Sequence, residues 1–380
     1  MNTTRTTRSS NIELLRIIAM IMIIAFHIID HCVVEIQLTD LDSMARFNNG
    51  LFCSPAFYRN LLLPSAIMPM GPAGNAIFLL ISGFYRVDPS KQFDLSGISL
   101  KLLTQTAFAA VFLTLFSFFC VFCSPGGFLK PLSIQVFNNM CWFVGYYFLV
   151  TLIARLFLNR YLLSWSRKEY LTFLLVLLTA AELGWSGRLM ESAASGLRVL
   201  ATGVFLYSLG RFIRRFRPFR RIHAIHLWLT ILAMFLLVNF SFYNVTAVNI
   251  EAYLQKASEK PFVQTISKYP NYSMVVLVIG VCLFEIFLRI RVRQSRILNY
   301  IAASTFMIYL IHDNKFFYSL WNLQDWITPL YREPVFFLLR LFAWVFILFA
   351  LGILLYTLYR VLGRGISRSL IHSGEDAPNA

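Results

Sequence analysis

The sequence predicts an all-α, polytopic integral membrane protein with about ten transmembrane helices and both termini cytoplasmic. Three observations carry this reading. The chain of 380 residues is 58% hydrophobic and only 14% charged, an imbalance that a water-soluble surface does not allow. Its apolar residues fall into ten runs, each long enough or nearly so to cross about 30 Å of hydrocarbon as a helix. The basic residues lie in short clusters between those runs. The formal charge of +16 is therefore spread along the chain, and this distribution argues against a nucleic-acid partner.

The runs fall at 12–34, 61–84, 100–122, 140–158, 170–185, 193–210, 224–243, 273–288, 297–317 and 335–359. Residues 1–11 form a polar N-terminal tail, 12–359 the membrane domain and 360–380 a C-terminal tail whose end, SLIHSGEDAPNA, reads as disordered. The first run is too long for the core of a signal peptide, and no small-residue cleavage pattern follows it, so it is expected to stay as an anchor. The fifth and sixth runs are short and separated only by SGRLMES, and could form one re-entrant pair. With the N-terminus inside, 22 lysines and arginines face the cytoplasm and 9 the outside, the bias that sets orientation. The cluster GRFIRRFRPFRR at 210–221 then rests on anionic lipid headgroups. Trp321 and Trp326, in the last outer loop, fall at interface depth.

Ionisable residues line up in the first run. Arg16 and His27 are eleven positions apart, which at about 100° per residue returns a helix to within about 20° of its starting direction. They share a face, about 16 Å apart along the axis, and can line one cavity without touching. Glu13, Asp30 and His31 lie near the same line, whereas the opposite side is Ile, Leu, Ala and Met. A charged residue in hydrocarbon costs at least about 2.5 kcal/mol, so such residues face a bundle interior and mark a site. The competing reading has Arg16 snorkelling to headgroups and His27 hydrogen-bonded in a core.

The second run contains Pro64, Pro69, Gly71, Pro72 and Gly74, which predict an irregular outer half beside the cavity of His27, or a loop reaching Asn75. Cys120 and Cys123 have C-x2-C spacing with no second pair or histidine partner, so no metal is expected. Cys32 and Cys53 flank an outer loop and would suit a disulfide on an oxidising face.

Four segments in order carry a resemblance: the Arg16-x10-His27 pair, FLLISGF at 78–84, CWFVGYYFLVTLIARLFLN at 141–159 and STFMIYLIHD at 304–313. Together they resemble the membrane-bound acyltransferase family 3 along essentially the whole chain. The resemblance implies an O-acyltransferase of the bacterial cytoplasmic membrane. It would take an acyl group, usually acetyl, from acetyl-CoA or another acyl-CoA on the cytoplasmic side, and pass it to a hydroxyl of an exopolysaccharide, cell-envelope glycan or lipid-linked saccharide. The family's first-span Arg and His map onto Arg16 and His27. Its basic residues after the SGF segment match only approximately, at Arg86, Lys91 and Lys101, with no pair of arginines three apart. Ser82, Trp142, Tyr309 and His312 belong to the family-like segments and are candidate supporting residues, with helix packing as the competing role.

Acyl transfer to an alcohol needs a base for the hydroxyl proton and a cation for the donor's charge. Histidine suits the first task and arginine the second, so His27 is assigned as base and Arg16 as the residue that positions the donor. A covalent acyl-histidine stays open. Asp30, three residues from His27, could orient the ring of His27 or of His31. The rival function is a transporter or flippase for a lipid-linked saccharide, in which Arg16, His27 and Asp30 would bind substrate or couple ions. No inverted repeat relates the two halves of the sequence.

Overall fold

A computed structural model describes residues 9–38, 59–86, 95–123, 142–183, 191–254 and 266–375, and among these every regular element is helical. The first helix, α1 (Ser10–Ile28), continues without a break as a π-helical segment, π1 (Ile29–Gln37). Then come α2 (Leu62–Ile67), α3 (Met70–Arg86) and α4 (Leu95–Cys123). The next rod is α5 (Trp142–Ile153), π2 (Ala154–Leu158) and α6 (Asn159–Ser164), followed by α7 (Arg167–Leu183) and α8 (Glu191–Phe216). The rest is α9 (Ala224–Leu254), α10 (Met274–Arg289), α11 (Arg296–His312), α12 (Lys315–Asn322), α13 (Ile327–Arg332) and α14 (Pro334–Glu375).

Each of the ten apolar runs is a helix, and seven of them have the length and hydropathy to cross a bilayer: Ser10–Gln37, Leu62–Tyr85, Leu95–Cys123, Trp142–Ser164, Gly196–Phe216, Ala224–Asn244 and Pro334–Gly363. The other three, α7, α10 and α11, have 17, 16 and 17 residues, about 25 Å each at the helical rise. The short fifth and sixth runs are two separate helices, α7 and α8, which pack on each other.

The bundle is built around the first span. Its most apolar stretch is 72% buried and that of the second span 83%, against 22% for α4 and α9. α1 touches α3, α10, α11 and α14, so the helix that carries the polar stripe is, with the second span, one of the two most enclosed. Its apolar residues divide mainly between two cores, with Met22 in a small third one beside Ala73, Val276 and Ile279. Ile12, Leu15 and Ala19 pack with Ile77, Leu80 and Tyr207 at one end, and Ile24, Ile28 and Cys32 pack with Tyr309, Phe317 and Trp321 at the other.

The second span is less broken than its prolines predict. The chain is helical from Leu62 to Ile67 and again from Met70, interrupted only at Met68 and Pro69. Pro64 and Pro72 each occupy a first helical turn, where a missing N–H costs no hydrogen bond. The glycines serve contact. A Cβ on Gly71 would strike the Phe26 ring, and one on Gly74 would strike the Ala19 carbonyl and Ile23, so α3 lies close along α1. Gly83 of the SGF segment meets the Tyr207 backbone, and Gly210 reciprocally meets the Leu80 backbone, which draws α3 and α8 together.

Other expectations also change. Trp321 and Trp326 are fully buried, because α12 and α13 fold back over π1 and α14 where an interfacial loop is expected. Cys32 is a free, buried thiol against the Tyr318 carbonyl, so it takes no part in a disulfide; Cys53 lies outside the described residues. The last helix runs to Glu375, through most of the tail read as disordered, since no proline or glycine pair stops it after Arg368.

Candidate functional site

The first span carries the site residues on two levels. Arg16, two turns into α1, donates from Nη1 to both oxygens of Glu13 at 3.1 Å, and Glu13 is itself buried. The pair is an (i, i+3) contact along one helix face. The rest of the guanidinium opens into a cavity of about 350 Å³, within the range of small-molecule sites. Met20 and Ile23 continue the wall from α1, and Phe78 and Ser82 add α3. Lys101 and Gln105 enter from α4, Phe143 and Tyr147 from α5, and Thr305 and Tyr309 from α11. The wall is mixed: cations at one end, then a buried glutamine, hydroxyls and aromatic rings. Ser82 bonds to the Phe78 carbonyl at 2.9 Å and to the Tyr147 hydroxyl at 2.5 Å, so its hydroxyl is engaged between two cavity walls. Tyr309 accepts the Phe143 backbone N–H at 3.3 Å, one of the first-turn donors of α5 that have no partner within their own helix.

His27 stands one turn beyond the cavity. It is absent from the lining, four residues past Ile23, and its side chain is 12% exposed. The sequence places Arg16 and His27 on one face of one cavity. On α1, however, the cavity lining ends at Ile23, and the imidazole lies four residues further along the helix. What connects the two levels is α11. Tyr309 lines the cavity and lies 5.7 Å, ring to ring, from His312, whose Nε2 is 3.0 Å from His27 Nδ1. The two imidazoles are stacked, with 5.0 Å between centroids and 19° between planes. Asp313 follows, its Oδ1 3.8 Å from His27 Nδ1, and accepts a hydrogen bond from the Tyr318 hydroxyl.

A second set of charges adjoins His27 on the far side. His31 bonds to Glu35 at 2.8 Å and stacks on Tyr318 at 4.1 Å. Lys268, in the segment leading into α10, pairs with Asp30 at 3.0 Å and Glu35 at 2.5 Å. Burial opposes the Lys268 charge, but hydrogen bonds to Glu35 and Asp30 and the charges of those carboxylates outweigh it, holding its pKa above the ordinary lysine value. Asp30 therefore serves Lys268 and orients neither histidine, contrary to the sequence expectation. The cause is tertiary: the segment leading into α10 brings the Lys268 ammonium to the Asp30 carboxylate.

The remaining candidates separate cleanly. Lys101 reaches the cavity; the Arg86 side chain and Lys91 lie outside the described residues. Trp142 is 45% exposed and stacks near Tyr146 on the outside of α5, which removes it from the site. Among the described residues, His27, His31 and Asp313 bring ligand-type atoms within 4.8 Å of one another, as do Asp30, His31 and Glu35. These donors already have partners inside the protein: His312 for His27, Tyr318 for Asp313, Glu35 for His31 and Lys268 for the two carboxylates. Asp313, Tyr147, Tyr318 and Lys268 were not singled out from the sequence. For Asp313 a signal existed, an acidic residue directly after a histidine at the end of an apolar run.

Compared with protein families, the chain matches the acyltransferase domain model of family 3 over residues 9–361. The chain belongs to acyltransferase family 3. No curated protein and no solved structure gives a significant match. The matched region begins with α1 and ends within α14, so both the cavity and the histidine pair of this membrane acyltransferase fall inside the family domain.

Proposed function

We propose that this acyltransferase moves an acetyl group from acetyl-CoA on the cytoplasmic side of a bacterial inner membrane to a hydroxyl of a cell-envelope glycan or lipid-linked saccharide. The observation that carries the reading is the arrangement along the first span. A cation-rimmed cavity holds Arg16, and a buried histidine cluster follows directly beyond its inner wall. An excess of basic residues on the N-terminal side supports a cytoplasmic donor entrance.

At that entrance Arg16 and Lys101 line the cavity, and the Arg214 guanidinium lies 6.0 Å from the Tyr85 ring, within electrostatic reach of the same residue as Arg16. Guanidinium groups grip phosphate by two-point hydrogen bonds, so these cations suit the phosphates of CoA. The pantetheine arm and thioester then extend past Ser82, Tyr147 and Tyr309 toward His27. There the acceptor hydroxyl oxygen attacks the thioester carbonyl while His27 takes its proton; the C–S bond breaks, and the proton passes to the departing CoA thiolate. Asp313, 3.8 Å from His27, compensates the charge of the transient imidazolium. A shift of Tyr309 or Phe143 is needed to join the two levels.

The test supplies [14C]acetyl-CoA to membranes from producing and non-producing cells and follows label into the envelope glycan by mass spectrometry and scintillation counting. Protein-dependent O-acetyl label is expected. Label that never leaves CoA, with saccharide export changed instead, would overturn the reading in favour of a transporter.

A further inference from the structure

The polar chain around His27 determines which of its nitrogens is the base. His312 is fully buried, and its Nδ1 lies 3.0 Å from the Ile308 carbonyl oxygen, four residues back in α11. A carbonyl oxygen only accepts, so Nδ1 of His312 carries the hydrogen. A neutral imidazole has one N–H, so Nε2 of His312 is a bare acceptor. Nε2 faces Nδ1 of His27 at 3.0 Å, so Nδ1 of His27 must donate. Nε2 of His27 is left with a free lone pair.

We infer that His312 is the positioning residue of this acyltransferase, fixing His27 in the Nδ1–H tautomer so that Nε2 faces the reaction as base. The inference rests on the proposed function for what the base does, and on the hydrogen-bond chain alone for which nitrogen does it. The usual partner for such a task is a carboxylate on the far nitrogen, as in the serine-hydrolase triad. Here the nearest carboxylate, Asp313, is 3.8 Å from Nδ1, beyond hydrogen-bond reach, and is engaged by the Tyr318 hydroxyl. His312 therefore holds the ring, while Asp313 supplies only field. In the transfer step Nε2 of His27 gains the hydroxyl proton as the ester bond forms, and returns it to the thiolate as the C–S bond breaks. His312 keeps its own proton throughout and acts through His27, without touching substrate.

Anchoring of His312 by its own helix makes the device rigid. The Ile308 carbonyl belongs to the last regular turns of α11, and the helix ends at His312, with Asp313 turning the chain into α12. The Ile308 carbonyl lies one turn back within the helix, and since a carbonyl oxygen has two lone pairs it can accept the imidazole N–H beside its helical bond.

The experiment is solid-state 15N NMR of the full-length, histidine-labelled protein in liposomes. The His27 and His312 signals are assigned by their loss in His27→Gln and His312→Gln, and the rates of His312→Gln and His312→Leu are read with [14C]acetyl-CoA on native membranes. Both histidines are expected as Nδ1–H tautomers. His312→Leu, which offers no acceptor, should lower turnover about 10- to 100-fold with the KM for acetyl-CoA unchanged, the range seen when an orienting partner is lost. His312→Gln, whose side-chain oxygen can accept from Nδ1, should recover most of it. An Nε2–H tautomer at His27, or equal rates for the Gln and Leu variants, would overturn the inference. The tautomers are read on the wild-type protein, with the two Gln variants used only to assign its signals, so the NMR arm decides the inference even where His312→Leu fails to fold. Failure of the underlying function looks different: label then never leaves acetyl-CoA even with the wild-type protein, whatever tautomer is found.

Discussion

Arg16 and His27 sit on one face of one helix, yet their surroundings follow different rules. Arg16 is 28% exposed at its side chain, pairs with a carboxylate three residues away, and faces an open cavity. His27 is 12% exposed and takes its partner from a residue 285 positions along the chain, in a core closed by aromatic rings. The first is a local arrangement beside a cavity; the second is a tertiary one, set among buried rings of two helices. A flexible, charged donor needs the former, while a base that must present one nitrogen needs the latter.

Breaking the buried end should have the largest effect. His27→Ala is expected to lower acylation by more than about 100-fold, the scale of a lost general base, with the protein still inserted as judged by protease protection. Full activity in that variant would erase the distinction between the two ends. Breaking the open end should act on binding: Arg16→Ala loses charge-assisted hydrogen bonds worth about 1.5–3 kcal/mol, which appears as a roughly 10- to 100-fold rise in KM for acetyl-CoA with a smaller change in kcat. An unchanged KM would reassign Arg16 to the support of Glu13.

Two further changes sharpen the comparison by touching neither end directly. Gly83→Ala places a Cβ against the Tyr207 backbone, so α3 and α8 must separate; a destabilisation of about 1–3 kcal/mol is expected, measured as a lower denaturation midpoint in mixed micelles. Since α3 walls the cavity through Phe78 and Ser82, donor use should fall with it while the His27 tautomer stays the same. Lys268→Met should have the smallest effect, changing turnover by no more than a few-fold, as expected for a half-exposed ion pair. The pKa of Lys268 is raised in the fold, so its pairs with Asp30 and Glu35 stabilise fully below the ordinary lysine value of 10.5 and fade as pH climbs through the raised value. The difference in melting temperature between wild type and Lys268→Met should therefore be constant from neutral pH upward and vanish only in strong alkali.

The amino-acid sequence by itself determined the helical membrane class and the angular relation of Arg16 to His27 along one helix, because both rest on periodicities of the chain. An apolar run needs no partner to be read as a helix, and an eleven-residue spacing gives its angle without knowledge of any neighbour. Prolines misled, since their cost depends on whether they fall in a first turn, as Pro64 and Pro72 do. Asp30 misled because its partner, Lys268, comes from a distant segment, which an angular count along one helix does not contain.

Only the tertiary structure decided how the two levels connect. It brought the end of α11 to the middle of the first span, set His312 and Asp313 within 3.0 and 3.8 Å of His27 Nδ1, and left the imidazole out of the cavity lining that Phe143 and Tyr309 share. The reason is physical: a hydrogen bond between two histidines is fixed by distance and direction across an interface, and neither appears in the order of residues along either helix.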